Sequence, residues 1–234
     1  IKHDANLQFF QVRGQFNAAS DAEAQEQTLE FGYQQQPLKR SYKVDQVESS
    51  LSQFVGKLKV VLFTPDDVTL ISGAPGQRRR LLDTLLTQIY PEYFAALRTY
   101  QHALKQRNRL LKSRNVTYAQ LKPWDQELVP ALVTILTLRQ DFLDFTSINL
   151  QENYQEIATS QDQVSLIYQP LDRSGNYKTN DYTNQADLAE LYKRSWQVDQ
   201  QAGHTQIGAH RADWQIKLND HLAPLTASRG ELRS

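Results

Sequence analysis

The stretch that decides the fold is PGQRRRLLDTLLTQIYPEYFAALRTYQHALKQRNRLL, residues 75–111. Its apolar side chains recur at spacings of three, four and seven, the period of one helix face; they are Leu82, Leu85, Leu86, Ile89, Tyr93, Leu97, Tyr100, Leu104 and Leu111. Pro91 suits the first turn of a helix, because an amide hydrogen is not needed there. The pattern therefore predicts one helix that breaks near Tyr90 and a second from about 92 to 113.

A further long helix, the second arm of a hairpin, is predicted after Pro123. Trp124 and Asp125 follow the proline, and apolar residues then repeat at similar spacings; they are Leu128, Leu132, Ile135, Phe142 and Phe145. Two such stripes, joined by roughly ten residues, favour an antiparallel helical hairpin that buries its seam as a coiled coil does. The aromatic side chains of both stripes are interpreted as core rather than as a cofactor site.

Strand-like segments precede the hairpin. Aromatic and partly alternating stretches predict an antiparallel meander; they cover residues 7–16, 28–33 and 40–45. Residues 58–63, LKVVLF, form a nearly continuous apolar run. Such a run predicts a strand that is buried on both faces inside a sheet.

Strand-like segments also follow the hairpin. The patterns predict strands at 164–169 and 213–218, a polar loop at 174–183 and a helix at 188–200. Strands, a helical excursion and strands again predict an α+β fold, in which a β-sheet domain is interrupted by the helical hairpin.

The composition excludes several classes of protein. With 26 basic and 26 acidic side chains, the chain does not coat nucleic acid through bulk charge. The absence of cysteine excludes disulfides, thiolate metal sites and a thiol nucleophile. Neither a membrane span nor a secretion signal is readable, so we expect a cytoplasmic protein. The sequence also contains no methionine, which suggests a processed or excised piece.

Basic residues are concentrated in the first helical stripe. Residues 98–114 contain no acid, and an arginine triplet lies just upstream. We interpret these cations as candidate phosphate contacts with DNA, provided that they converge in space; a solvated helix face remains the alternative. The candidate DNA-binding residues are Arg78, Arg79, Arg80, Lys105, Arg107, Arg109, Lys112 and Arg114.

Motifs for nucleotide or metal chemistry are missing or incomplete. The only Gly-Lys pair, Gly56-Lys57, precedes Leu58 rather than the Ser or Thr that a phosphate-binding loop requires. Asp66 and Asp67 follow an apolar strand-like run, as magnesium ligands often do. Thr64 and Pro65 separate them from the end of that run, so they do not match a magnesium site. No histidine has a second ligand at metal spacing. We therefore predict no catalytic or metal-binding residue in this chain.

Two polar segments near the C-terminus bear on function. Residues 204–213, HTQIGAHRAD, read as a polar surface turn that contains Gly208. Residues 227–234, ASRGELRS, read as a loop that feeds a helix start, which Ser228 would cap. Exposed backbone amides at such a start bind anions.

Five segments together resemble the RecF family, bacterial recombination and repair proteins with an SMC-like ABC ATPase head. In family order they are VVLFTPDDVTLISGAPGQRRRLLD at 60–83, LKQRNRLLK at 104–112, PWDQELVP at 123–130, HTQIGAHRADWQI at 204–216 and SRGELRS at 228–234. Residues 1–59 are compatible but match weakly. The sequence departs from the common family pattern at Ala209, Ala212 and Glu231, where proline, an acid and glutamine are usual.

The resemblance implies a division of the chain and a nucleotide contact. Residues 1–45 and 161–234 would belong to the ATPase head and 46–160 to a helical arm. The SRGE segment is similar to the ABC signature, which implies that Ser228, Arg229, Gly230 and Glu231 contact ATP held by a second protomer. The family's P-loop would lie before residue 1 and its metal-binding acidic strand after residue 234. ATP and Mg would then serve the intact protein, a weak ATPase, and neither would bind tightly to this piece, which we expect to be inactive alone.

The resemblance also implies partners. These are double-stranded DNA near single-strand gaps, a second copy in an ATP-dependent homodimer, and RecO and RecR in the loading of RecA at the nucleoid. Two alternatives remain open: a non-catalytic helical module that binds a protein partner, and the arm of another SMC-like ATPase.

Overall fold

The computed structural model describes residues 9–18, 25–62, 64, 67, 69–113, 115–158, 162–172 and 182–223, without the side chains of 17, 18 and 25. The chain divides into two compact units, Ile1–Lys59 and Val60–Ser234. The family-based division at residues 45 and 160 stays a prediction.

The first unit is the predicted meander. Its strands are β1 (Phe9–Ala18), β2 (Gln25–Gln34), β3 (Lys39–Val44) and β4 (Val47–Glu48), paired antiparallel in chain order. Val12 lies opposite Phe31, which lies opposite Tyr42. Because side chains alternate across a strand, aromatic rings collect on one face, where Tyr42 packs on Phe54 of the short helix α1 (Leu51–Phe54).

The second unit contains the predicted helices. They are α2 (Thr69–Ser72), α3 (Pro75–Ile89), α4 (Pro91–Leu111), α5 (Tyr118–Ala158) and α6 (Gln185–Ala202). The break at Tyr90 is confirmed: its backbone is extended and its amide donates to Leu86, while Pro91 opens α4. Tyr93, near the start of α4, bonds to Arg139 of α5, and Arg107, near its end, bonds to Asp125. The two helices therefore run antiparallel, as predicted.

Helix α5 begins earlier than predicted. It starts at Tyr118, so Pro123 and Pro130 lie inside it. The side chain of Gln120 accepts hydrogen bonds from the amide and hydroxyl of Thr117. This Thr-x-x-Gln pair caps the first turn, and the capping signal outweighs the proline as the boundary.

The core of the second unit is built mainly by side chains of α3, α4, α5 and α6. Its fully or almost fully buried side chains are Leu82, Leu86, Tyr93, Tyr100, Leu128, Leu132, Ile135, Leu136, Leu188 and Tyr192. Phe145 is an exception to the predicted seam, because 68% of it is exposed. Since Arg139 already lies beside Tyr93, the part of α5 that contains Phe145 extends past the start of α4.

The predicted buried strand at 58–63 is wrong for the residues that the structure describes. Leu58 to Leu62 form no strand, and Val61 and Leu62 are 78% and 79% exposed. The side chain of Gln88 bonds to both the amide and the carbonyl of Val60. An apolar run indicates that a segment tends to be buried, but it does not identify the residues that would bury it. Among the described residues, no strand pairs with this segment.

A second antiparallel sheet completes the unit. Its strands, in order, are β5 (Val164–Gln169), β6 (Asp213–Leu218) and β7 (His221–Leu222). The predicted strands at 164–169 and 213–218 and the helix at 188–200 are confirmed. Most of the predicted loop at 174–183 lies outside the described residues. Within the described helices, no segment is long and apolar enough to cross a bilayer.

Candidate nucleic-acid interface on helix α4

One face of α4 carries a line of cations. Arg98, Lys105, Arg109 and Lys112, here called the basic stripe, are all exposed. Their spacings of seven, four and three residues place them on one face of a helix with 3.6 residues per turn. At a rise of 1.5 Å per residue the stripe is about 21 Å long. The helix therefore presents a narrow positive ridge.

Along the sequence, no acidic residue interrupts this ridge. Between Glu92 and Asp125 the sequence has no carboxylate, and Asp125 is buried. Within the described ranges, none of the four stripe residues forms a salt bridge. Like charges three and four residues apart repel by about 0.2–0.5 kcal/mol per pair. The stripe thus carries a small cost in helix stability that a bound anion would offset.

Lys105, Gln106, Asn108, Arg109 and Lys112 line a surface groove of about 460 Å³ beside the stripe. This volume lies within the range of roughly 300–1,000 Å³ that ligand sites occupy. Of the five described residues that line it, three are cations and none is acidic, so the groove suits an anion.

Arg107 lies on the opposite side of α4 and is fully buried. Its Nε donates to Asp125 at 2.7 Å, and its Nη1 donates to Asp199 and to Thr205, both at 2.7 Å. Burial raises the pKa of both carboxyls, although the guanidinium opposes the shift. The structure therefore gives Arg107 an internal ion-pair role and corrects its prediction as a phosphate contact.

Arg78 is corrected in the same way. It is 4% exposed, and its Nε and Nη2 form a two-pronged bond with Asp213 at 2.8 and 2.9 Å. Paired bonds of this kind are among the strongest that side chains make. Arg79 is half-buried and donates to the carbonyl of Ala212 at 2.8 Å. Only Arg80 of the triplet is exposed.

Most of the turn at 204–213 is buried or half-buried, with His204 exposed, and is not the surface turn that its polarity predicted. Thr205, Ile207, Ala209 and Ala212 are at most 1% exposed. Gly208 has a φ of +121°, and a Cβ there would overlap the hydroxyls of Tyr100 and Tyr192. Glycine is required at this position for both reasons.

Arg139 of α5 holds the same turn from another side. Its Nη1 donates to the carbonyl of Ala209 at 2.9 Å, while Nη2 donates to Asp83 at 2.7 Å. Its Nε donates to the hydroxyl of Tyr93 at 2.9 Å. Backbone groups of the turn are thus satisfied by charged side chains, which explains how so polar a segment is buried.

His210 links the turn to the buried side of α4. Its Nε2 lies 3.1 Å from the carbonyl of Thr205, which can only accept, so Nε2 carries the proton. Nδ1 then accepts from the hydroxyl of Tyr100 at 2.6 Å. Burial lowers the pKa of His210 to about 4, with Arg211 and Arg79 adding to the shift. The histidine is therefore neutral at physiological pH.

The remaining predicted residues fall elsewhere. Arg114, Ser228, Arg229, Gly230 and Glu231 lie outside the described residues. Asp67, from the apparent magnesium motif, accepts bonds from the amide and hydroxyl of Thr64 and so closes a local turn. Asn108, which lies in sequence between Lys105 and Arg109, was not predicted as a site residue.

Comparison with known proteins gives a consistent result. No protein-family model matches the chain. Curated proteins named DNA replication and repair protein RecF are similar to it: that of Alkaliphilus oremlandii is 30% identical over 84% of this chain and 54% of its own length. The Leptospira interrogans protein is 31% identical over 89% and 55%, and the Streptococcus pyogenes serotype M49 protein is 36% identical over 80% and 50%.

Solved structures agree. A structure of "the recombination mediator protein RecF-ATPrS in RecFOR pathway" has a TM-score of 0.84 and 25% identity over 97% of this chain and 61% of that one. The corresponding RecF-ATP structure has the same TM-score and 26% identity. This likeness confirms the predicted α+β fold of the ABC/SMC-like ATPase type. The chain spans about half the length of the curated relatives it matches. In sequence and in fold, the chain is similar to proteins of the RecF family, which confirms the resemblance that its motifs predicted.

Proposed function

We propose that helix α4 binds the phosphates of double-stranded DNA in a RecF-type repair protein. The observation that carries the proposal is the basic stripe: exposed cations on one face of α4, in a stretch from 93 to 124 without an acid. The proposed contacts are Lys105, Arg109 and Lys112, with Arg98 at the far end. Arg79, Arg80 and Arg114 remain candidates, whereas Arg78 and Arg107 are committed to buried ion pairs.

A stripe of this kind predicts a particular salt response. Each neutralised phosphate releases condensed counterions, so log K falls with log salt at a slope of about −0.9 per contact. Four contacts would give a slope of roughly −3.6. This binding reads the backbone of DNA and not its bases.

The activity of the whole protein is part of the proposal. ATP and Mg would be held by an intact protein, and Ser228, Arg229, Gly230 and Glu231 would contact ATP across an ATP-dependent homodimer. The protein would act in the cytoplasm on DNA near single-strand gaps, assisting RecA loading with RecO and RecR. Solved relatives described as RecF-ATP in the RecFOR pathway support this context.

The DNA contact is tested by charge reversal. Lys105→Glu, Arg109→Glu and Lys112→Glu, combined in the intact protein, should weaken duplex binding at least a hundredfold, as about three phosphate contacts are lost. Fluorescence anisotropy across a salt series measures both affinity and slope. A control with Lys39→Glu, Arg40→Glu and Lys57→Glu has the same net charge and alters exposed cations of the first unit. Equal binding by the two variants would refute the assignment.

The nucleotide contact is tested separately. Arg229→Ala in the intact protein should reduce dimerisation in the presence of ATP, measured by light scattering, and leave the monomer folded. Normal ATP-dependent dimerisation would count against the role of 228–231.

One observation favours the protein-binding alternative. Phe145 and Ile148 of α5 are 68% and 73% exposed, and they lie three residues apart on the same side of the helix. If this surface binds RecR, Phe145→Ser with Ile148→Ser should weaken RecR binding to the intact protein by calorimetry and leave DNA affinity unchanged.

A further inference from the structure

Asn108 is held in one orientation by the buried turn. Its Oδ1 lies 2.8 Å from the backbone amide of Thr205 and 2.7 Å from the Thr205 hydroxyl. Asn108 also lines the groove beside the basic stripe, between Lys105 and Arg109. One residue therefore touches both the interior and the candidate DNA site.

Donor and acceptor rules fix which atom of the Asn108 amide faces Thr205. Arg107 can only donate, so the Thr205 hydroxyl accepts from it at 2.7 Å and directs its own hydrogen elsewhere. That hydrogen and the Thr205 amide hydrogen both meet the side chain of Asn108. Two donors require an acceptor, so the oxygen faces Thr205 and the NH₂ group does not.

With its oxygen on Thr205, Asn108 has its NH₂ group left to offer to the groove that it lines. Among the described residues, Nδ2 of Asn108 has no hydrogen-bond partner, whereas Oδ1 has two. A neutral double donor thus stands beside Lys105, Arg109 and Lys112, and none of the described residues that line the groove is a carboxylate. This set of side chains suits an oxygen-rich anion and disfavours a cation or an apolar ligand.

We propose that Asn108 Nδ2 donates to a phosphodiester oxygen of bound duplex DNA, and that Arg107, through Thr205, is a positioning residue for it. The inference rests on the proposed DNA-binding function and adds an uncharged contact to it. Arg107 would then contribute to DNA binding by orienting Asn108, without placing its own charge on the DNA.

The first test is Asn108→Asp in the intact protein. The new carboxylate can still accept both bonds from Thr205, so the fold is kept, but an acceptor replaces the donor in the groove. Affinity for a fluorescein-labelled duplex should fall about tenfold or more, since a bond to a charged group is lost. The salt slope should shrink by about one contact.

Thr99→Asp is the matched control. It adds the same charge to an exposed position of the same helix, about 100° around the axis from Arg98. Its affinity should stay within about twofold of the unaltered protein, because an exposed charge off the contact line is largely screened.

The second test separates positioning from folding. Thr205→Val removes the hydroxyl that links Arg107 to Asn108, and Thr205→Ser keeps it. The valine variant should bind the duplex several-fold more weakly with an unchanged salt slope, since no charge is altered, and serine should restore binding. Thermal melting of both variants verifies their folding.

The outcomes are distinguishable. If Asn108→Asp equals Thr99→Asp while reversal of the stripe weakens binding, the Asn108 assignment is wrong and the DNA-binding function stands. If reversal of the stripe also has no effect, the proposed function itself falls. If Thr205→Val and Thr205→Ser bind equally well, Arg107 has no positioning role.

Discussion

The two sides of α4 use the same kind of residue for opposite purposes. Arg107 and Arg109 are two positions apart, yet Arg107 is fully buried between Asp125 and Asp199, and Arg109 is exposed with no described ion-pair partner. The buried arginine joins the helix to α5, α6 and the 204–213 turn. The exposed arginine contributes to a surface charge. A basic run in a sequence is therefore not a single functional unit.

The largest expected effect on stability comes from removing the buried arginine. Arg107→Leu leaves two buried carboxyls without a cation and should cost about 3–5 kcal/mol of unfolding free energy, whereas Arg109→Leu should change it by about 0.5 kcal/mol or less. Urea denaturation of both variants measures the difference. Without Arg107 the carboxyl pKa values rise further, so the loss should be smaller near about pH 5 than near about pH 8. Equal stabilities would contradict the comparison.

His210 should make the buried side sensitive to acid. Its pKa falls from 6.5 to about 4 on folding. Between these two pKa values, His210 is protonated in the unfolded chain and neutral in the folded chain. Stability is present above pH 6.5 and is lost as the pH falls toward 4, by up to about 3 kcal/mol. His210→Gln should flatten this part of the stability profile, and an unchanged profile would exclude His210 as the cause.

Gly208 tests how closely the turn approaches α4. Gly208→Ala should cost roughly 2–3 kcal/mol, because its Cβ meets the hydroxyls of Tyr100 and Tyr192 in a left-handed backbone. Gly203→Ala provides a comparison: its φ is +72°, but nothing lies within 4 Å of the added Cβ. It should cost about 1 kcal/mol for backbone strain alone. Melting temperatures rank the two variants.

The smallest expected change in stability is a gain and not a loss. It distinguishes most clearly between the buried and the exposed side of α4. Lys105→Glu places an acid four residues before Arg109, the favourable orientation on a helix, and should stabilise the chain by about 0.3–0.5 kcal/mol. The same change should weaken DNA binding. A variant that is more stable and binds less well would show that the stripe serves binding and not folding. Loss of stability would contradict this.

Much of the fold followed from local patterns. Apolar spacing predicted α3, α4 and their break at Pro91, and alternation predicted β5 and β6, because these signals depend on neighbouring residues. The start of α5 was missed, since the capping pair Thr117 and Gln120 acts against a proline that usually marks a boundary.

The candidate site was only partly predictable. The charges of Lys105, Arg109 and Lys112 were visible in the sequence, and so was their common helix face. The partners of Arg107 were not, because they lie 18 and 92 residues away along the chain. The role of Asn108 depends on Thr205, 97 residues away. Burial of 58–63 was predicted from apolarity alone. The exposed residues 58–62 show that apolarity is insufficient without a covering surface.

The unequal support along α5 has a dynamic consequence. Its 41 residues would span about 61 Å. Helix α4 lies beside its first part, whereas Gln151, beyond Phe145, accepts a hydrogen bond from the amide of Val164 in β5. Amide hydrogens from about Asp125 to about Leu143 should exchange with solvent only when the whole unit opens. Those nearer Ala158 should exchange by fraying from the helix end. Hydrogen exchange would therefore show a gradient of protection within one continuous helix.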